Sequence, residues 1–213
     1  MKSKAWNWNV ADEPQWNEPA GEVYPLLSRW KKQGFKKLLD LGCGTGRHSI
    51  LFAQNGFDVE AFDLGKEGLD KLEAFNKILK LPITTKLGDM IDLPYKDGEF
   101  DCLIAFHAIY HQDDDGIKKV INEIKRVLKS GGEAFITFNS QNSSSYNSPD
   151  TTKITRNTII KNRGYEEGIP HFMANKNDVE NLLEDFEILE FSYREDYHPD
   201  LTGAHYFVLA KKK

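Results

Sequence analysis

Three glycines in alternation, Gly42, Gly44 and Gly46, punctuate the run Asp40-Leu41-Gly42-Cys43-Gly44-Thr45-Gly46. Lacking a Cβ, glycine lets backbone N–H groups approach a ligand closely and adopts turns that other residues avoid, so this run is a candidate cofactor loop. The same glycines would also serve a plain tight turn between a strand and a helix. Two carboxylates weigh toward a ligand. Asp40, two residues before the first glycine, puts negative charge at a strand end, where an ammonium group is attracted and a phosphate repelled. Asp63 follows the loop by about twenty residues, the spacing at which a carboxylate accepts both hydrogens of a ribose diol. The charge of Asp40 disfavours a dinucleotide. A nicotinamide-dependent oxidoreductase, the competing reading, expects Gly-x-Gly-x-x-Gly, and here Arg47 stands in the last place of that pattern.

A second group of residues is suited to proton transfer. In open α/β sheets ligands bind beyond the carboxyl ends of strands, and His107, Tyr110 and His111 lie just past the apolar run Cys102 to Phe106. Imidazole takes a proton near neutral pH, so His107 and His111 are candidate bases; as a His-x-x-x-His pair they could equally be packed or capping groups. His171, after Pro170, and His205, opening the last strand, are the other two catalytic candidates, and both reach the same mouth if the segment before His171 folds over it. No metal site is expected, because no third ligand stands at a recognised spacing from His107 and His111. Asp113, Asp114 and Asp115 instead suit the positive end of the next helix. Trp6, Trp8 and Trp16 either close over a cofactor or acceptor, or anchor the terminal segment on the core.

Positioning these groups falls to an alternating series of elements. Val23, Leu26, Leu27 and Trp30 share one helical face. Strands are expected at Lys37 to Leu41, Asp58 to Phe62, Ile83 to Leu87, Phe100 to Phe106 and Glu133 to Phe138. Helices are expected at Gly46 to Asn55, Lys66 to Leu79 and Gly116 to Leu128. Such alternation predicts an α/β, doubly wound, mostly parallel seven-stranded sheet with helices on both faces, since parallel strands need crossover helices. Residues 139–170, rich in serine and asparagine, read as a mobile polar insertion that could act as a lid. A helix from Asn177 to Leu183 follows, then strands Phe186 to Tyr193 and Ala204 to Ala210 around a turn-rich stretch, Asp196 to Asp200. Being so close in sequence, these two strands must be antiparallel.

The chain has 213 residues, the length of one domain spanning 1–213, with an aromatic N-terminal segment over 1–34. Its 28 basic and 33 acidic residues give a net charge of -5, which offers no general attraction to nucleic acid or an anionic membrane. Two cysteines, neither placed for a secreted disulfide framework, and the absence of a signal-like or membrane-spanning apolar run point to a cytoplasmic protein.

The run LLDLGCGTG, the sequence VEAFDLG ending a second strand at Asp63-Leu64, and Gly88-Asp89-Met90 ending a third resemble class I S-adenosylmethionine-dependent methyltransferases over residues 36–138. Gly168-Ile169-Pro170-His171-Phe172 and the closing AHYFVLAKK are more loosely similar to the tellurite-resistance-type and related small methyltransferases. The resemblance implies a sheet whose last strand runs opposite to the rest. It also implies that S-adenosylmethionine binds with its methionine part against Gly42 and Gly44, its ribose on Asp63 and its adenine beside Asp89 and Met90. Phe106 would face the cofactor. Methyl transfer from a sulfonium is an in-line displacement that needs chiefly alignment of a small-molecule acceptor, and a base only where the acceptor must lose a proton. A non-catalytic protein that binds the cofactor for regulation would carry the same loop.

Overall fold

A computed structural model describes residues 3–10, 16–199 and 201–213. Parts of the N-terminal aromatic segment (1, 2 and 11–15) and Asp200 of the expected turn lie outside the described residues. The elements run in chain order α1 (Tyr24–Lys32), β1 (Lys37–Leu41), α2 (Arg47–Gln54), β2 (Asp58–Asp63), α3 (Lys66–Leu79), β3 (Ile83–Leu87), β4 (Phe100–Ala105), α4 (Asp114–Val127) and β5 (Leu128–Ser140). There follow β6 (Thr151–Lys153), β7 (Thr158–Lys161), β8 (Pro170–Ala174), α5 (Lys176–Leu182), β9 (Phe186–His198) and β10 (Leu201–Lys212).

The central sheet has the order β3-β2-β1-β4-β5-β10-β9. β1 to β5 are mutually parallel, and β10 alone runs against them, pairing His205 with Asn139 through Lys211 with Glu133. The sequence predicts this α/β sheet because β1, β2 and β4 are short, largely apolar and each followed by an amphipathic helix. β4 shows why two buried faces need continuous apolar residues: Cys102, Leu103, Ile104 and Ala105 are all fully buried, between one core on the α4 side and another under α1 and α2. The expected aspartates do open α4, with Asp113 Oδ1 accepting the Gly116 N–H at 2.8 Å and Asp114 and Asp115 in the first turn.

One polar knot fixes α1 to the sheet. Glu133 on β5 is buried and accepts bonds from Arg29 Nε, Arg29 Nη2, Trp30 Nε1 and Gln33 Nε2, each at 2.8 Å. Burial pushes this carboxyl up, but the four donors outweigh it and hold the pKa below the usual range.

Residues 139–170, expected as a mobile polar insertion, carry strands of their own. β6 and β7 pair antiparallel, β7 pairs antiparallel with β8, and β8 joins β5 in parallel at Asn139–Ser140, so the insertion extends the sheet. The serine and asparagine bias hides the β-branched stretch Thr151 to Ile160, whose threonines and isoleucines suit a pleated surface. The two final strands are also longer than expected, β9 continuing through Asp196, Tyr197 and His198.

Candidate active site

A cavity of about 230 Å³ opens at the carboxyl ends of β1, β2 and β4, where the strand order reverses between β1 and β4. Its floor is the glycine loop. Gly42 and Gly44 have φ of +74° and +57°, and a Cβ on Gly42 would lie 2.2 Å from the Ala108 Cβ. A Cβ on Gly44 would lie 2.2 Å from the Trp8 ring. Only glycine permits both the left-handed backbone and these close approaches. Gly46 serves packing instead, since its missing Cβ makes room for Leu72 of α3.

Asp63, at the end of β2, is 8% exposed and clamps the floor: Oδ2 accepts the Gly44 N–H at 2.8 Å and Oδ1 the Gly65 N–H at 2.6 Å. Burial raises its pKa, against the pull of those two amides. Each carboxylate oxygen keeps a further lone pair, and the residue lines the cavity together with Leu64, Asp89, Met90 and Phe106. Trp8 Nε1, buried and without a hydrogen-bond partner, borders the same spot: a Cβ on Gly65 would lie 3.1 Å from both Trp8 Nε1 and Asp63 Oδ1. Trp6, Trp8 and Trp16 cluster over this end with ring centroids 4.7–6.0 Å apart. The Trp16 carbonyl accepts the Thr45 hydroxyl, and the Trp8 carbonyl accepts Lys71 Nζ at 2.7 Å.

Asp40 is placed differently from the expectation of a ligand-facing charge. It is 2% exposed, does not line the cavity, and its Oδ2 accepts the Ser49 hydroxyl at 2.6 Å beneath the loop. Burial pushes its carboxyl up to about 6, opposed by Ser49 and the Arg47 guanidinium. Gly44 and Gly46 likewise are not lining residues, the first being covered by Trp8 and the second by Leu72.

The far end of the cavity is a cage of aromatic and imidazole rings. His107 holds φ +52°, a strained value for a side chain with a Cβ, and its N–H donates to Thr137 Oγ1 at 2.5 Å. Its ring lies 4.4 Å from that of His205, on β10, and 4.3 Å from that of Phe106, and its buried Nδ1 has no partner. Burial lowers the His107 pKa well below the ordinary value and that of His205 to about 4, so both rings are neutral at physiological pH. His111 also lines the cavity, its Nε2 3.1 Å from Glu166 Oε1. His171, 1% exposed, does not line it but stands directly behind the lining: its ring meets that of His111 edge-on with centroids 4.9 Å apart, and its Nε2 is 3.3 Å from Glu166 Oε2.

Glu166 is the residue that sequence reading missed. It lies 55 positions from His111 in a segment whose composition reads as linker, and no spacing rule ties the two. Arg47, His48 and Gln112 also line the cavity, none of them expected as a site residue; His48 Nε2 accepts the Ala20 N–H at 3.2 Å.

A ribosyl sulfonium fits these residues. Asp63 offers acceptors for a diol, Trp8 Nε1 stands beside it as a donor, and at Gly42 any side chain would collide with Ala108 of the cavity wall.

Residues 38–132 match a family model described as a methyltransferase domain. Cypemycin N-terminal methyltransferase from a Streptomyces species is 31% identical over 143 residues, covering 60% of this chain and 57% of that protein. The chain spans about half the length of the curated relatives it matches. Among solved structures, a SAM-dependent methyltransferase from Methanosarcina mazei has a TM-score of 0.72 at 22% identity, covering 89% of this chain and 97% of that one. TehB from Haemophilus influenzae has a TM-score of 0.68 at 20% identity, covering 92% and 63%.

Proposed function

We propose that this chain, whose residues 38–132 match a methyltransferase-domain model, is a class I S-adenosylmethionine-dependent methyltransferase that methylates a small-molecule acceptor and leaves S-adenosylhomocysteine. It would act as a single domain over 1–213 in a reducing, cytoplasmic compartment. Two buried free thiols, Cys43 and Cys102, suit that setting, and among the described residues no helix is long and apolar enough to cross a membrane. The observation that carries the reading is one cavity joining Asp63 and the glycine floor at one end to neutral histidines at the other.

When bound, the cofactor supplies a methyl activated on a sulfonium. Asp63 holds the ribose diol, and Leu64, Asp89 and Met90 border the adenine. Gly42 lets the backbone approach the methionine part, and Phe106 faces the reacting end. The acceptor is held among Phe106, His107, Tyr110, His111 and His205, where the rings exclude water and align it. His205 and His107, kept neutral by burial, present lone pairs for the proton that a hydroxyl, thiol or ammonium acceptor must lose. His171 and Asp40 support from outside the cavity, Asp40 by bracing the loop through Ser49.

Calorimetric titration with S-adenosylmethionine, S-adenosylhomocysteine and NAD tests the first half. Binding of both adenosyl ligands and none of NAD is expected, and the opposite pattern would overturn the reading. A screen for S-adenosylhomocysteine release over amines, phenols, thiols and oxyanions tests the second; cofactor binding with no release from any acceptor would identify a binding protein without turnover.

A further inference from the structure

We propose that His111, Glu166 and His171 form a binding site for a divalent transition-metal ion at the acceptor end of the cavity. The three come from different places: the turn after β4, the loop between β7 and β8, and β8 itself. Their ligand atoms all lie within 4.8 Å of one another. His111 Nε2 is 3.1 Å from Glu166 Oε1, and His171 Nε2 is 3.3 Å from Glu166 Oε2. Zinc-like ions hold nitrogen and carboxylate oxygen at about 2.0–2.2 Å, which sets neighbouring tetrahedral ligands roughly 3.3–3.6 Å apart. The two histidine–carboxylate separations lie at or just under that edge length, each to a different oxygen of Glu166, and the three ligand atoms as a set stay within 4.8 Å, so side-chain adjustment closes them on one ion.

The orientation of His171 carries the argument further. Its Nδ1 lies 2.9 Å from the Ile169 carbonyl, which can only accept, so the ring's hydrogen is on Nδ1. In the neutral ring Nε2 is then a bare lone pair. That nitrogen is buried, has no hydrogen-bond partner, and faces a carboxylate oxygen, itself an acceptor. Two lone pairs face to face are relieved by a cation between them, and a metal ion that also takes His111 does this for all three groups at once. A metal-bound histidine characteristically donates its other N–H to a backbone carbonyl or carboxylate, which is the bond His171 makes to Ile169. Lys161 Nζ also contacts Glu166, at Oε2, while Oε1 stays turned to His111.

Two imidazoles and one carboxylate favour zinc and its first-row neighbours over magnesium or calcium, which prefer all-oxygen shells. Three protein ligands leave coordination positions open, and because His111 and Glu166 line the cavity, the open side faces the acceptor chamber. The ligand class such an ion receives is a hydroxyl or thiol, whose ionisation it favours. That last assignment rests on the methyltransferase reading; the ion site itself does not.

The test is a titration of the full-length, chelator-treated protein with cobalt(II), followed by visible absorbance, then displacement of the cobalt with zinc. One equivalent should bind with the intense bands of a low-coordinate ion. Glu166→Gln and His111→Asn should each weaken binding at least about tenfold. His198→Asn, at an exposed position on β9, should bind as the wild type does. Circular dichroism and S-adenosylhomocysteine affinity certify that each variant is folded, and the two substitutions act on different elements, so loss of one fold leaves the other informative. Absence of a stoichiometric site, or equal affinity in wild type, Glu166→Gln and His111→Asn, would overturn the proposal. S-adenosylhomocysteine binding without metal binding would sink the ion site and spare the methyltransferase reading; metal binding without it would do the reverse.

Discussion

At the residue scale, Asp63 and His205 stand at the two ends of the cavity. Asp63 spends one lone pair of each oxygen on the Gly44 and Gly65 amides and keeps the others for a ligand. Asp63→Ala should therefore weaken S-adenosylmethionine binding by about 1–3 kcal/mol, the value of hydrogen bonds to a charged group. Calorimetry reads this directly, and unchanged affinity would remove the ribose from Asp63. For His205 the prediction concerns pH. Burial depresses its pKa to about 4, so the neutral, proton-accepting form persists at any pH well above that value. With an acceptor that must lose a proton, kcat/KM should lose no activity to His205 protonation between pH 8 and 6, and should fall on that account only toward pH 4. His205→Phe should lower kcat by roughly 10²–10⁴-fold, the usual contribution of a general base.

At the element scale, the glycine loop and the turn after β4 are pressed together at one point. Gly42→Ala would drive a Cβ to within 2.2 Å of Ala108 and force a left-handed residue to carry a side chain. It should cost about 1–3 kcal/mol in urea unfolding and impair cofactor binding, because the floor and the His107 turn must separate. Glu133→Ala is the corresponding test for α1: removing it strands the buried Trp30 Nε1 and leaves Arg29 without its carboxylate, at a cost of about 2–5 kcal/mol. Elements with strong periodicity, such as α3 and β1 to β4, are legible in the chain because local pattern and tertiary burial agree. β6, β7 and β8 are not, because they are only three to five residues long within a serine- and asparagine-rich stretch and β8 is placed by the end of β5, a partner distant in sequence.

At the scale of the whole molecule, several imidazoles are buried in neutral form. His48 is 4% exposed, accepts the Ala20 N–H, and is lowered to about 3 by burial and the neighbouring Arg47. A histidine whose folded pKa lies below its unfolded value binds fewer protons in the native state. Stability is therefore fully present above about pH 6.5 and is lost as pH falls through the window down to about 3 for His48 and about 4 for His205. Asp40, raised to about 6, acts in the opposite sense: the stability it adds is present below the ordinary aspartate range and lost as pH rises through 6. The histidines outnumber it, so urea unfolding should show lower stability at pH 4.5 than at pH 7, and His48→Asn should flatten that slope. Equal stability at the two pH values would mean these rings are solvated.

The sequence by itself determined the strand–glycine–helix floor, the acidic residue closing β2 and the histidines past β4, because each depends on neighbours a few residues away and on the periodicity of a buried strand. Only the tertiary structure decided what those groups face. It turned Asp40 beneath the loop toward Ser49, laid Trp8 over Gly44, and carried Glu166 from an apparently featureless segment to a position between His111 and His171. Contacts of that kind are set by how the sheet is extended and closed over itself, and no local spacing of residue types encodes them.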